Sequence, residues 1–96
     1  MHTPDDTPVS NIPPDHHDQL IDVRSLSCPL PLLRTKKTLA TMPPASILKV
    51  TTPPATREDL VAFTHQTGHQ LLCQQEEVLP DGTVLLHNWI RRKPNP

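Results

Sequence analysis

The stretch CPLPLLRTKKTLATMPPASILKVTT, residues 28–52, contains the strongest indications of the fold. Its first part predicts a helix over residues 28–42, because one helical face collects Leu32, Thr35, Leu39 and Met42. Pro43-Pro44 ends this helix, since proline cannot continue the hydrogen-bond ladder. The β-branched, alternating run at residues 47–52 predicts a strand. A helix followed at once by a strand is typical of a mixed α and β protein.

Further elements lie on both sides of this helix–strand pair. Residues 19–24 predict a first strand. The sequence from Thr56 to Asp59 resembles a capping box that starts a second helix, and Gly68 is the expected stop. Two strands at residues 70–78 and 83–91 then flank a Pro80-Asp81-Gly82 hairpin turn. The order β-α-β-α-β-β predicts an α+β, two-layer α/β sandwich, with a four-stranded mixed sheet and two helices on one face.

The distribution of proline separates two regions of the chain. Proline accounts for 13 of the 96 residues. Residues 1–18 combine four prolines and four aspartates with few apolar side chains, which is typical of disorder. Residues 19–93 have the apolar content of a small globular domain. We therefore expect a disordered, acidic, proline-rich tail over residues 1–18 and one compact domain over residues 19–93.

The charge and hydropathy patterns exclude several classes of protein. The formal net charge is −1, and the domain by itself is about +3, too little to predict direct nucleic-acid binding. No stretch approaches the roughly 18 apolar residues of a membrane span. The N-terminus also lacks the basic start and apolar run of a secretory signal. We therefore expect a cytoplasmic protein with no membrane partner and with both cysteines reduced.

The segment Ser27-Cys28-Pro29-Leu30-Pro31 is the strongest candidate for a functional site. Prolines fit the first turn of a helix, whose backbone N–H groups have no intrahelical acceptor. With Cys28 as the N-cap, the positive end of the helix dipole lies at its sulfur and favours a thiolate or a persulfide anion. Positive charge nearby in the sequence comes from Arg24, Arg34 and Lys36.

Each candidate residue also has a purely structural interpretation. A buried, unreactive thiol is the alternative for Cys28, but the prolines argue for an exposed, rigid position. Cys73 lies in mid-strand without an activating feature, so we expect it to be a packing residue. Leu30 either points outward beside Cys28 and helps to dock partners, or packs against the loop after the first strand. Trp89 either packs in the core or contributes to a binding surface.

Two other functions are compatible with parts of the sequence. A non-catalytic regulatory or adaptor module would bind proteins through a sheet face that displays Leu85, His87 and Trp89. Metal binding would use the histidines or a thiol, but these residues are scattered without ligand spacing, and we predict no metal site. Lys36 and Lys37 are either ordinary exposed helix residues or groups that steer acidic partners.

A family resemblance becomes apparent at the candidate site. The pattern Asp22-x-Arg24-x-Leu26-x-Cys28-Pro29-x-Pro31, with Thr35-Lys36, Leu39 and Met42, resembles the TusA/SirA-like sulfur-carrier proteins. The same register continues through Leu48-x-Val50, Thr52, Asp59, Phe63 and Gly68-His69. The resemblance covers about residues 19–92, essentially the whole expected domain.

This resemblance implies both a fold and a chemistry. The fold is a β-α-β-α-β-β sandwich similar to the C-terminal domain of initiation factor three. The chemistry is a sulfurtransferase-type relay in which Cys28 carries sulfane sulfur as a covalent persulfide, without another cofactor. The motif residues Arg24, Pro29, Pro31 and Lys36 would support it. The donor would be a cysteine desulfurase or a rhodanese-like protein, and the sulfur-acceptor protein would serve tRNA thiolation, cofactor assembly or sulfur oxidation.

Three positions depart from the family pattern. Ser25 replaces the usual glycine after the arginine, and Pro53 replaces the usual acidic residue after the second strand. Thr64 stands at or near the place of a cysteine often found on the second helix. A mechanism with a second, resolving cysteine is therefore not favoured. A carrier that must dock on two partners in turn is expected to be a monomer.

Overall fold

The computed structural model describes residues 12–94. Their helices and strands are β1 (Gln19–Asp22), α1 (Leu30–Ala40), β2 (Ile47–Thr52), α2 (Arg57–Thr67), β3 (Gln70–Val78) and β4 (Val84–Arg91). A 3-10 turn at Pro54–Thr56 leads directly into α2. The predicted order of elements is confirmed. Most of the predicted acidic tail, residues 1–11, lies outside the described residues.

The four strands form one mixed sheet in the order β1-β2-β4-β3. β1 and β2 are parallel and are joined through α1, whereas β4 is antiparallel to both of its neighbours. A parallel pair needs such a crossover because a short turn cannot return the chain in the same direction. The β3–β4 hairpin closes through the predicted Pro80-Asp81-Gly82 turn, in which Gly82 has a φ of 90°.

The hydrophobic core fills the space between this sheet and the two helices. Both helices contribute buried side chains to the same cluster as alternate residues of the strands, so they cover one face of the sheet, as predicted. The cluster comprises Val23, Leu39, Met42, Leu48, Val50, Leu60, Phe63, Leu71 and Ile90. The predicted inner face of α1 is confirmed, because Thr35 and Leu39 are buried there.

The first strand is shorter than the predicted range of residues 19–24. The Val23 N–H still donates to the Thr51 carbonyl over 2.8 Å. One residue later, the Asp22 carboxylate accepts the backbone N–H of Arg24 over 3.1 Å and turns the chain away from the sheet. At the other end, Asp18 pairs with Ile47 through its backbone N–H and its carboxylate, each over 2.8 Å. The pairing with β2 therefore starts at Asp18.

The second helix ends as predicted but starts differently. Gly68 caps it with a φ of 86°, and its N–H donates to the Thr64 carbonyl. The predicted capping box is wrong. Thr56 has a helical backbone, with φ −82° and ψ −6°, and makes no side-chain cap. The preceding 3-10 turn replaces the cap, because it aligns the first backbone groups before α2 begins.

The sheet face opposite the helices has its own small apolar cluster. Ile47, Cys73 and Trp89 pack together there, with Leu72 beside them. Trp89 is 7% exposed, and the Lys49 Nζ lies 5.2 Å from the centre of its ring. Cys73 is therefore a packing residue, as expected, and Trp89 is a buried side chain.

Candidate functional site

Cys28 is exposed in the loop that connects β1 to α1. The predicted N-cap position is wrong by one residue, because Pro29 is the N-cap and α1 begins at Leu30. Cys28 therefore precedes the helical backbone, and its peptide bond to Pro29 is cis. Cys28 is still within two residues of the start of the helix, where the dipole favours an anion.

The start of α1 is held by short-range hydrogen bonds. The Leu30 N–H donates to the Ser27 carbonyl over 2.9 Å, and the Leu33 N–H donates to the Pro29 carbonyl over 3.1 Å. Pro31 is buried, and its carbonyl accepts the Thr35 hydroxyl over 2.8 Å. The two prolines have no N–H and the Leu30 N–H is bonded to Ser27, so the first turn offers the sulfur few free donors. The main effect of the prolines is to make the segment rigid, and they offer no N–H group to an anion.

A groove of about 420 Å³ opens beside Cys28. Leu26, Ser27 and Cys28 form the side that precedes α1. The opposite wall belongs to the segment that starts α2 and contains Pro53, Ala55, Thr56 and Asp59. The groove is therefore mainly apolar and has one carboxylate. Two segments that are distant in sequence meet at the thiol.

Leu30 lines a second, smaller groove of about 160 Å³. Its side chain is 48% exposed, so it points outward as one of the two interpretations expected. Leu33 is exposed beside it, and Leu26, Arg34 and Lys37 complete the lining. Because Leu26 lines both grooves, the two form neighbouring surfaces around the thiol.

The predicted basic residues have different environments. The Arg24 guanidinium binds the Asp22 carboxylate, with its Nη2 2.8 Å from Oδ2 and a further contact from Nε at 2.9 Å. This hydrogen bond holds the pKa of Asp22 below its usual range and raises the pKa of Arg24. Arg24 is thus part of an ion pair, and its positive charge is offset by Asp22. Lys36 is exposed on α1.

The three departures from the family pattern fit this structure. Ser25 occupies the turn before α1 without the positive φ that would favour glycine, since Ala45 is the non-glycine residue with positive φ among residues 12–94. Pro53 is extended, with φ −64° and ψ 153°, and starts the 3-10 turn at the groove. Thr64 is buried, and its hydroxyl donates to the Leu60 carbonyl over 3.0 Å.

Two histidines of the described part of the chain, His69 and His87, make separate contacts. His87 binds the Thr51 hydroxyl through Nδ1 at 3.0 Å and the Glu77 carboxylate through Nε2 at 2.7 Å. His69 accepts the Lys93 N–H at its Nδ1 over 3.0 Å. Within residues 12–94, no three of the side chains that ligate metals come together. The helices of this region are also too short or too polar to cross a membrane.

The wall formed by Pro53, Ala55, Thr56 and Asp59 is the part of the site that sequence reasoning missed. Asp59 was noted as a cap and as a match to the family pattern, but not as a neighbour of Cys28. The signal available was that match, which includes Asp59 together with the cysteine motif. The periodicity of the sequence cannot predict that the start of α2 lies next to the start of α1.

These features define a class: a small α+β sandwich with one exposed thiol at the start of its first helix and a groove beside it. Residues 19–86 match the family described as Sulfurtransferase TusA. A sulfur carrier protein TusA from Allochromatium vinosum is 46% identical over 61 residues, covering 62% of this chain and 80% of that protein. One from Pseudomonas entomophila is 41% identical over 78 residues, covering 80% and 91%.

The fold has a solved counterpart. The SirA-like protein from Desulfitobacterium hafniense matches with a TM-score of 0.62 at 23% identity, covering 79% of this chain and 99% of that one. The chain belongs to the sulfurtransferase TusA family of sulfur carriers. A carrier requires a donor and an acceptor of sulfur as partners. The family membership favours this function over the adaptor alternative.

Proposed function

We propose that Cys28 is the residue that carries sulfur, as a persulfide, in this protein. The contrast between the two cysteines supports the assignment. Cys28 is exposed at the groove, whereas Cys73 is 0% exposed. Burial also raises the pKa of the Cys73 thiol, which keeps it protonated and unreactive. A sulfur carrier must present its sulfur to two different proteins, and Cys28 meets this requirement.

Loading is a thiol exchange without net oxidation. The Cys28 thiolate attacks the outer sulfur of a donor persulfide, R–S–SH. A new S–S bond forms at Cys28 as the donor's S–S bond breaks, and the donor leaves as the thiolate R–S⁻. The product is Cys28–S–SH, which loses a proton to the solvent to give the anion. The rate depends on the thiolate fraction and on access, as in any exchange of this kind.

Unloading repeats the same chemistry in the opposite direction. An acceptor thiolate attacks the outer sulfur of the Cys28 persulfide, and the Cys28 thiolate is the leaving group. Buried Pro31 anchors the start of α1, and the hydrogen bond from the Leu30 N–H to the Ser27 carbonyl defines the turn that contains Cys28. Arg24 acts through its ion pair, by shaping the turn before Cys28, and Lys36 adds positive charge on α1.

The partners are proposed from the same surface. The donor is a cysteine desulfurase or a rhodanese-like protein, and the acceptor serves tRNA thiolation, cofactor assembly or sulfur oxidation. Exposed Leu30 and Leu33 provide the apolar contact beside the thiol, and Arg34 and Lys37 surround it with positive charge. We place this relay in the cytoplasm, where thiols stay reduced, and we propose that the carrier works there as a monomer.

Intact mass after incubation with a persulfide donor tests the assignment. The wild-type chain should gain one sulfur atom, and the Cys28→Ser variant should gain none. Cys73→Ser is the matched control and should load as the wild type does. Loading that persists without Cys28 would disprove the role of this residue.

In the same assay with a persulfide-carrying rhodanese as donor, Leu30→Ser should load more slowly while its loading from a small donor is unchanged. If Leu30→Ser loads at the wild-type rate from both donors, Leu30 does not take part in docking.

A further inference from the structure

We propose that Gln74 and Asn88 are positioning residues, which hold the groove wall opposite Cys28 at a defined distance from the thiol. This proposal rests on the function assigned to Cys28. Neither residue touches the groove. Both are buried between the sheet and α2, and their hydrogen bonds end on the segment that forms the wall.

Asn88 lies at the centre of this network. It is 0% exposed and occupies the helix-facing side of β4. Its Nδ2 donates to the Val50 carbonyl over 3.0 Å and to the Thr52 hydroxyl over 3.3 Å. The Thr52 hydroxyl in turn donates to the Pro53 carbonyl over 3.0 Å. One branch of the network therefore reaches the first residue of the groove wall.

Gln74 forms the second branch. Its Nε2 donates to the Asn88 Oδ1 over 2.9 Å and to the Arg57 carbonyl over 3.2 Å. The Arg57 guanidinium also approaches the Gln74 Oε1 at 3.5 Å and the Glu76 carboxylate at 3.4 Å. This branch holds the first residue of α2. The chain between Pro53 and Arg57 is therefore attached to the sheet at both ends.

The attachment has a consequence for the groove. The Thr56 N–H closes the turn on the Pro53 carbonyl over 3.1 Å, so the wall moves as one unit with its two anchors. Buried amides are costly unless every group is paired, and a leucine would fill these positions without that cost. Polar networks of this kind specify one arrangement of the elements they join. Here the arrangement is that of the wall relative to Cys28.

The inference predicts how Cys28 discriminates between reagents of different size. Iodoacetamide is small and reacts with any exposed thiolate, whereas N-phenylmaleimide has an apolar ring that fits in the groove. We divide the rate with N-phenylmaleimide by the rate with iodoacetamide, and normalise this ratio to the same ratio for glutathione. The normalised ratio should be about five in the wild type. Gln74→Met keeps the side-chain volume but removes both donations. Its normalised ratio should fall towards one.

Two further variants separate positioning from stability. Thr52→Val, which removes the Pro53 branch alone, should lower the normalised ratio partly, and it also serves if Gln74→Met does not fold. Ile47→Val destabilises the opposite face of the sheet and should leave the ratio unchanged. Two outcomes would overturn the proposal. One is a normalised ratio of one in the wild type, and the other is an unchanged normalised ratio in both Gln74→Met and Thr52→Val. Sulfur loading on Cys28 is measured separately, so a failure of the relay itself is distinguishable.

Discussion

Cys28 and Cys73 have the same side chain in opposite environments. Cys28 sits in a stiff, exposed loop beside an apolar groove, and Cys73 is enclosed by Ile47 and Trp89 on the far face of the sheet. The reactivity of a thiol depends on its ionisation and on its access to a partner. Cys28 therefore has the access that the proposed sulfur transfer requires, whereas Cys73 is a packing residue.

The burial of Cys73 predicts a dependence of stability on alkaline pH. Burial raises the pKa of this thiol above its usual 9.0, so the unfolded chain ionises first as the pH rises. The stabilisation is complete below the unfolded pKa and is lost as the pH climbs through the folded pKa. The free energy of unfolding, measured in urea between about pH 8 and about pH 10.5, should fall less steeply in Cys73→Ala than in the wild type.

The control for this titration is Ile47→Val, which alters the same apolar cluster without removing an ionisable group and should retain the wild-type slope. A slope that is the same in Cys73→Ala and in the wild type would show that the buried thiol ionises as easily in the folded chain as in the unfolded one.

At the scale of elements, the two helices show how local residues set boundaries. Pro43-Pro44 follows α1 closely, and Gly68 ends α2 where it was predicted, because both act through backbone geometry alone. The helix starts were predicted less well. The first helix starts at Leu30, one residue later than predicted, and a 3-10 turn after Pro53 replaced the expected cap. Each of these depends on contacts beyond the turn itself.

Gly68 provides a test of this local control. Its φ of 86° is accessible to glycine but strained for alanine, and a Cβ there would meet the Lys93 Cδ at an ordinary 3.6 Å. The loss in Gly68→Ala should therefore come from the backbone and amount to about 1 kcal/mol in the free energy of unfolding. Gly68→Asn should lose less, since asparagine tolerates this conformation. Equal stability of Gly68→Ala and wild type in urea unfolding would contradict the argument.

At the scale of the molecule, the residues after β4 connect the ends of both helices. The Arg92 Nε donates to the Leu39 carbonyl at the end of α1 over 2.8 Å. The Lys93 N–H donates to the His69 Nδ1 just beyond the end of α2 over 3.0 Å. The last described residues thus stabilise the helix layer on the side away from the thiol.

The contact with His69 predicts a dependence on acidic pH. Desolvation, with the nearby charges of Lys93 and Arg92, lowers the pKa of His69 below its usual 6.5. A protonated Nδ1 also cannot accept the Lys93 N–H. The stabilisation is complete above the unfolded pKa and is lost as the pH falls through the folded pKa. The free energy of unfolding should therefore decrease from about pH 7 to about pH 5, and less so in His69→Gln.

His65→Gln is the matched control, because His65 is an exposed histidine near the same helix end. It should follow the wild-type profile. If His65→Gln and His69→Gln flatten the profile equally, the effect belongs to histidine content in general and not to the His69 contact.

The sequence alone determined the order of the elements and the inner face of α1, and it singled out Cys28 as the candidate thiol. These follow from periodicity, from proline and glycine at boundaries, and from a motif, all of which act over a few residues. The groove at Cys28 and the Gln74–Asn88 network were decided by the tertiary structure. Hydrogen bonds in that network join residues 14 to 38 positions apart. Their contacts depend on strand register and helix docking, which no local pattern encodes.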